Sequence, residues 1–238
     1  MIRTLLEGIS ARIPSQCAVC RAWPARPVCD GCVARFAQPV PRCRTCAIRV
    51  HGGVTQCGEC VLHPPPLDEC RAAIDYDFPW ADVVSRFKFR GETGWAAPLA
   101  LLMHSAPWID PMLDAAQWVV PMPLAQIRLK ERGFNQAALL ARQLAPSKLQ
   151  NRLLLRIQST TSQHTLNRTD RLRNLQGVFV VDPQHIDTVR SARILLVDDV
   201  MTTGASLFSA AHALRQAGAA TVSAAVLART PQSRQQSS

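Results

Sequence analysis

The stretch Arg193-Ile-Leu-Leu-Val-Asp-Asp-Val-Met-Thr-Thr-Gly-Ala-Ser-Leu207 decides how this chain is read. Arg193 to Val197 is a leucine- and valine-rich run, the pattern of a parallel strand buried on both faces. Two adjacent carboxylates, Asp198 and Asp199, stand at its carboxyl end, where open α/β sheets bind their ligands. Thr202, Thr203, Gly204, Ala205 and Ser206 form a small-residue loop; from Leu207 to Gln216 the apolar spacing turns helical, and Gly218 stops it. A helix amino terminus behind such a loop is a phosphate cradle, because backbone N–H groups and hydroxyls converge there. Two carboxylates just before the cradle would repel the same phosphate, so they need another task. Accepting hydrogen bonds from a vicinal diol asks for two acceptors side by side.

A ribose carrying a 5-phosphate has both groups at about the right separation. The run closely resembles the 5-phosphoribosyl 1-pyrophosphate (PRPP) signature of type I phosphoribosyltransferases. That resemblance implies that Asp198 and Asp199 contact the ribose hydroxyls and that the loop from Thr202 to Ser206 holds the 5-phosphate. Two other readings stand beside it. Response-regulator receiver domains also contain Ile-Leu-Leu-Val-Asp-Asp, but they need roughly 100 residues after the acidic pair, and only 39 follow Asp199. A plain Rossmann-like sheet edge without a ligand is the other.

Composition sets the frame around this run. The 238 residues are 47% apolar and 18% charged, enough for one full core and a small extra module. No apolar run approaches the ~20 residues that span a bilayer. The start, Met1 to Ile9, contains Glu7 and no small-residue cleavage site, so a short amphipathic helix (Leu5, Leu6, Ile9) and a cytoplasmic location are expected. The net charge of +10 is concentrated in residues 121–176, where ten Lys/Arg face two acids. A strongly basic chain suggests nucleic acid, but a small polyanion with several phosphates would want the same charge in the same place.

Residues 17–60 hold four Cys-x-x-Cys knuckles: Cys17/Cys20, Cys29/Cys32, Cys43/Cys46 and Cys57/Cys60. In a cytoplasmic protein this is metal spacing, and two thiolate pairs make one closed tetrahedral zinc site. The favoured arrangement is sequential, with Cys17, Cys20, Cys29 and Cys32 on one zinc and Cys43, Cys46, Cys57 and Cys60 on the other. A cross-braced exchange of the middle pairs is the alternative. So few large apolar side chains lie here that the module needs its metal, which contributes roughly 10–16 kcal/mol in comparable peptides. Residues 1–70 carry +3, and two four-thiolate zinc sites turn that into about −1, a poor footprint for DNA. Cys70 is left over and reads as a buried structural thiol.

His63-Pro-Pro-Pro-Leu67 reads as a stiff linker. The expected domains are residues 1–66 (amino-terminal helix and double ribbon), 67–230 (the α/β domain) and a disordered tail, 231–238. Within the α/β domain, Arg71 to Phe78 reads as an edge strand, and helices are expected over Trp80 to Lys88 and Gly94 to His104. A proline-bearing loop is expected around Pro107 and Pro111. Trp118 to Leu124 reads as a strand ending in two prolines, followed by a loop and an apolar helix, Ala137 to Leu144. Further strands are expected after Arg152, at Val178 to Val181 and at Thr221 to Leu227. The lone histidines His51, His104 and His164 carry no pairing signal.

Four segments now stand in order behind the knuckles: Val-Pro-Met-Pro-Leu, Arg-Gly-Phe-Asn-Gln, Thr161-x-Gln163 with Arg171-x-x-Asn174, and the Asp-Asp/Thr-Thr-Gly loop. Nearly the whole chain resembles the ComF family. The resemblance implies an N-terminal double zinc ribbon joined to a type I phosphoribosyltransferase fold, a mostly parallel sheet flanked by helices. It implies PRPP as ligand with Mg²⁺, a pyrophosphate loop at Val120 to Leu124 that includes Pro121 and Met122, and a mobile flap over Ser159 to Arg171. In that superfamily the pyrophosphate loop often holds a strained non-proline peptide. No Lys or Arg lies between Trp118 and Ile127, so Arg128, Arg132 and Arg171 are the candidate pyrophosphate clamps, with solvated helix charges as the plain alternative. Phe134 and Asn135 read equally as packing and turn residues or as ligand contacts. Two functions follow: a phosphoribosyltransferase of unknown acceptor, or a factor in DNA uptake or processing that keeps the pocket as a sensor or relic. The latter's partners would be single-stranded nucleic acid or competence proteins.

Overall fold

A computed structural model describes residues 15–157 and 178–231. The expected amino-terminal helix, the flap from Ser159 to Arg171 with Asn174, and the tail beyond Pro231 lie outside the described residues. The chain divides into two compact units, residues 1–38 and 39–238.

In the smaller unit, Ser15 bridges Ala25 and closes the turn that carries Cys17 and Cys20. Cys29 sits at the N-cap of α1 (Asp30–Phe36), which puts Cys32 in the first helical turn. The buried apolar side chains described there are Cys17, Val28 and Cys32. With mostly thiols buried among its described residues, this part has little hydrophobic driving force there, so metal coordination is the natural source of its stability.

The larger unit opens with the second ribbon. Arg42 bridges Arg49 around the Cys43–Cys46 knuckle, and Cys57 sits at the N-cap of α2 (Gly58–Leu62), which carries Cys60. Then follow β1 (Glu69–Asp75), α3 (Trp80–Phe89), α4 (Ala96–His104), α5 (Ile109–Ala115), β2 (Trp118–Pro121), α6 (Gln126–Arg132) and α7 (Gln136–Leu144). After them come β3 (Leu154–Arg156), β4 (Phe179–Val181), α8 (Ile186–Val189), β5 (Arg193–Met201), α9 (Ala205–Gln216) and β6 (Thr221–Arg229). Strands β1-β6-β5-β2 form one sheet, parallel throughout, and β3 pairs antiparallel with β4 apart from it. This is the expected phosphoribosyltransferase architecture, with helices on both faces.

Side chains alternate across the sheet. Ile194, Leu196, Val222, Ala224 and Val226 face Leu207, Ala210 and Leu214 of α9 and Phe179 of β4. Cys43, Cys46, Ala47 and Ile48 of the second ribbon belong to the same buried cluster. Leu195, Val197, Ala225 and Leu227 point the other way, where α4 and α7 contribute Leu99, Met103 and Leu140. Each such fully buried leucine contributes roughly 1.5–3 kcal/mol. The 63–67 proline stretch therefore lies within the larger unit, and the second ribbon is part of that unit's core.

Four local expectations are corrected. Strand β1 ends at Asp75 rather than Phe78, and Asp75 is no solvated edge charge: the buried Arg42 guanidinium is 2.8 Å from it, and Arg49 pairs with its other oxygen. The region of Pro107 and Pro111 is partly helical, because Pro111 is third in α5, where no helical acceptor awaits an N–H. The stretch after Leu124 forms the separate helix α6, stopped by Gly133 in the left-handed conformation (φ 77°). Finally, β5 runs past the acidic pair to Met201, because β6 keeps pairing with it as far as Arg229. Among the described residues no helix is long and apolar enough to cross a membrane.

Candidate functional site

Strand β5 carries Asp198 and Asp199 to the carboxyl edge of the sheet. The Asp199 amide donates to Asp198 Oδ1 (2.9 Å) and the Val200 amide to Asp199 Oδ1 (2.6 Å). These local bonds hold both carboxyl groups close to the strand backbone. Withdrawal from water, reinforced by the Asp199 charge, pushes Asp198 up to about 7, and Lys88 opposes the shift. Lys88, from the last turn of α3, places Nζ 3.2 Å from Asp199 Oδ1. Its own carbonyl accepts from Nε2 of Gln136 (3.1 Å), a side chain only 1% exposed at the start of α7.

The small-residue loop follows directly. Gly204 occupies the N-cap of α9 at φ 84°, and a Cβ there would collide with Met201 Cε and lie 2.7 Å from Phe208 Cζ. The left-handed dihedral favours glycine, and a side chain there would also force Met201 Cε and the Phe208 ring to shift. Thr203 Oγ1 accepts from the Ala205 amide (3.3 Å), and the Phe208 amide donates to the Gly204 carbonyl (2.9 Å). The amides of Ser206 and Leu207 lie in the same first turn, where a helix has no carbonyl of its own to offer. Thr202, Thr203, Gly204, Ala205 and Ser206 thus form a compact turn beside the acidic pair, with first-turn amides of the kind that can take an anion.

The second loop at this edge leaves β2. Pro121 ends the strand, the Met122 amide donates to the Val197 carbonyl (2.9 Å), and both residues are buried. Asn135 Nδ2 donates to the Met122 carbonyl (3.0 Å), while its Oδ1 caps α7 through the Ala138 amide (3.3 Å). Phe134 packs against Phe87, with ring centroids 6.2 Å apart. Asn135 thus holds the turn together, and Phe134 packs on helix α3. The cis peptides among the described residues are Trp23–Pro24 and Phe78–Pro79, so the loop from Val120 to Leu124 is trans throughout.

Cations ring the pair. Arg132 lies over the Phe89 ring (4.8 Å), half-buried and within electrostatic reach of Asp199. Burial lowers its pKa, as it does for Arg156 on β3, which is within reach of Asp198 and stacks on Phe179. Arg128 is exposed on α6 and close enough to both arginines to repel them. Arg171 lies outside the described residues. The crevice thus combines two carboxylate acceptors, a tight helix-opening turn and a cationic rim.

The phosphoribosyl transferase domain family matches residues 129–238, a span that includes the acidic pair and the turn. DNA utilization protein YhgH of Salmonella typhimurium is 31% identical over 227 residues, 92% of this chain and 98% of the relative. Competence protein F of Haemophilus influenzae is 30% identical over 199 residues, 80% of this chain and 85% of the relative. Competence protein ComFC of Bacillus subtilis is 34% identical over 166 residues, 69% and 65% respectively.

The chain belongs to the ComF family.

This ComF-family chain also holds two groups of four thiols that fit a metal. Cys17, Cys20, Cys29 and Cys32 form one group and Cys43, Cys46, Cys57 and Cys60 the other, with the sulfurs of each within 4.8 Å of one another. The grouping is sequential, as favoured. Sulfur separations of 3.8 Å (Cys17–Cys32), 3.6 Å (Cys20–Cys29) and 3.7 Å (Cys46–Cys57) suit a tetrahedron with Zn–S bonds of ~2.3 Å, whose sulfurs lie about 3.8 Å apart. Cys70 is fully buried, with Sγ 3.6 Å from Met201 Sδ, and burial pushes its thiol pKa upward. His104 meets Asp110 (2.5 Å) at the surface, away from this chemistry.

Sequence reasoning missed Lys88, Gln136, Arg156 and Arg229. Lys88 had a faint signal, as a lone lysine between two phenylalanines; its partner is 111 positions away and could not be read locally. Arg229 breaks an otherwise apolar strand end. Its guanidinium faces the carbonyls of Cys46 (2.9 Å), Met201 (3.2 Å), Thr202 and Thr230 (2.8 Å).

Proposed function

We propose that this chain binds PRPP in the crevice at the carboxyl edge of β5 and transfers, or descends from enzymes that transfer, the 5-phosphoribosyl group with release of pyrophosphate. One observation carries the reading: two consecutive carboxylates at the carboxyl edge of the sheet stand directly before a tight turn whose Gly204 (φ 84°) opens helix α9. In this reading Asp198 and Asp199 accept hydrogen bonds from the ribose diol. The turn from Thr202 to Ser206 holds the 5-phosphate by its amides and hydroxyls.

In the transfer, a bond forms between the acceptor and the anomeric carbon while the bond to pyrophosphate breaks, and the electron pair leaves with the pyrophosphate. The transition state resembles that of glycoside cleavage. No covalent nucleophile is needed; positioning alone can supply up to ~7–11 kcal/mol. With no cation in the loop of Pro121 and Met122, we assign the departing charge to Arg132, Arg128, Arg171 and Lys88. Mg²⁺ would arrive with the ligand, its water shell within reach of Asp198 and Asp199, and would supply neutralisation of the charge on the leaving group. The two four-cysteine groups take structural Zn²⁺, and the protein works in the cytoplasm.

The names of the relatives favour a second reading, a role in DNA uptake or processing with the PRPP crevice as sensor or relic. Calorimetry with PRPP and Mg²⁺ tests the crevice, and a pyrophosphate-release screen over nucleobases, amines and nucleic-acid ends tests transfer. Turnover with any acceptor supports the enzyme. Salt-sensitive retention of single-stranded DNA on filters without turnover supports the second reading.

A further inference from the structure

The buried Arg229 guanidinium joins two parts of the larger unit that have no sequence relation. Its Nε donates to the carbonyl of Cys46, inside the second four-cysteine group, at 2.9 Å. Its two Nη1 hydrogens face three carbonyls, those of Thr202, Thr230 (2.8 Å) and, at longer range, Met201 (3.2 Å), and Met201 and Thr202 lead into the turn. The side chain is 6% exposed and crosses 183 residues of sequence to reach Cys46. A guanidinium in this position sets the direction of these carbonyls at once, because its donors lie in one rigid plane.

The surroundings reinforce the link. The Thr230 amide donates to the same Met201 carbonyl (3.0 Å), Cys70 Sγ meets Met201 Sδ (3.6 Å), and the Cys70 amide donates to the Arg44 carbonyl within the ribbon (2.7 Å). Arg42 and Arg49 of the ribbon clamp Asp75 at the end of β1. Met201 Cε in turn lies nearest to where a Cβ at Gly204 would stand. A shift of the Cys46 carbonyl therefore passes through one side chain to the residues that set the turn.

We infer that Arg229 is a positioning residue through which the second four-cysteine group fixes the anion turn, so that metal at Cys43, Cys46, Cys57 and Cys60 governs affinity for the 5-phosphate end of the ligand. The inference rests on the PRPP reading of the crevice. It assigns the second ribbon a task beyond bracing the fold: metal loss there acts on one end of the ligand and spares the other.

The test is calorimetry of the full-length, metal-loaded protein with two half-ligands, ribose 5-phosphate and magnesium pyrophosphate. Arg229→Met is expected to weaken ribose 5-phosphate at least tenfold and to leave pyrophosphate within twofold, with both metal equivalents retained. Arg229→Lys, which keeps the charge but offers a point donor, is expected to show the same selectivity at about threefold and serves if the methionine variant does not fold. Cys57→Ser, which removes one thiolate and leaves the Cys46 carbonyl intact, is expected to lose one metal equivalent and to repeat the selective loss. Unchanged ribose 5-phosphate affinity in folded Arg229 variants, or in Cys57→Ser after loss of that equivalent, overturns the inference. Equal weakening of both half-ligands also overturns it, since general loosening would do that. If the wild-type protein binds neither PRPP nor ribose 5-phosphate, the reading of the crevice fails first and the inference with it.

Discussion

Lys88 Nζ lies 3.2 Å from Asp199 Oδ1, joining the last turn of α3 to the acidic pair at the end of β5. Both side chains are largely shielded, so this contact is worth more than a surface ion pair. It also places a cation beside the crevice, where the loop from Val120 to Leu124 supplies none. Lys88→Met is expected to weaken PRPP about tenfold, the ~1.4 kcal/mol of one charge-assisted hydrogen bond. Calorimetry at constant pH and Mg²⁺ measures it. Unchanged affinity would remove Lys88 from the site.

The pH dependence has a fixed sign. Asp198 titrates near 7 in the folded chain and near its ordinary 3.8 when unfolded, with burial the main cause and Asp199 the second. The folded state holds the extra proton between those values, so this group makes the free protein less stable as pH rises from about 4 to about 7, with no further change above. PRPP binding should run the opposite way, because an ionised pair accepts diol hydrogens better: affinity rises between pH 6 and pH 8. Asp198→Asn should flatten the stability decline. Thermal unfolding at pH 5 and pH 8, and titrations across the same range, check both signs.

The turn depends on one missing Cβ. At φ 84°, with Met201 and Phe208 pressing in, Gly204→Ala is expected to cost about 1–3 kcal/mol or more and to weaken ribose 5-phosphate with it. A lowered Tm with reduced affinity is the expected pair of results. A Tm equal to wild type would mean that the turn is not built as described.

How much of this was legible beforehand depended on sequence distance. Asp198 to Ser206 is a continuous run whose residue types dictate strand, acidic pair, turn and helix, so local chemistry sufficed. The cysteine knuckles were equally plain, because metal spacing is a short-range pattern. The extension of β5 to Met201 was not, since it depends on pairing with β6 up to Arg229. Nor was helix α6, whose charged run from Gln126 to Arg132 has no buried face to reveal a period. Lys88, Gln136 and Arg229 act through partners 48 to 183 residues away, and no local pattern announces such contacts.

Metal removal gives a further expectation. Zinc content should be two equivalents per chain, and chelation should lower Tm, because the buried apolar side chains described in residues 15–38 are Cys17, Val28 and Cys32, and because Cys43, Cys46 and Cys60 sit in the core of the larger unit. Elemental analysis followed by thermal melts with and without chelator measures this; an unchanged Tm after full metal loss would contradict it.

The central claim is that Asp198 and Asp199 hold the ribose diol of PRPP. Calorimetric titration of PRPP with Mg²⁺ into wild type and into the folded double variant Asp198→Asn, Asp199→Asn tests it most directly. Wild type is expected to bind saturably and the variant to lose at least a hundredfold in affinity, about 2.7 kcal/mol. Equal affinity in the two proteins would contradict it.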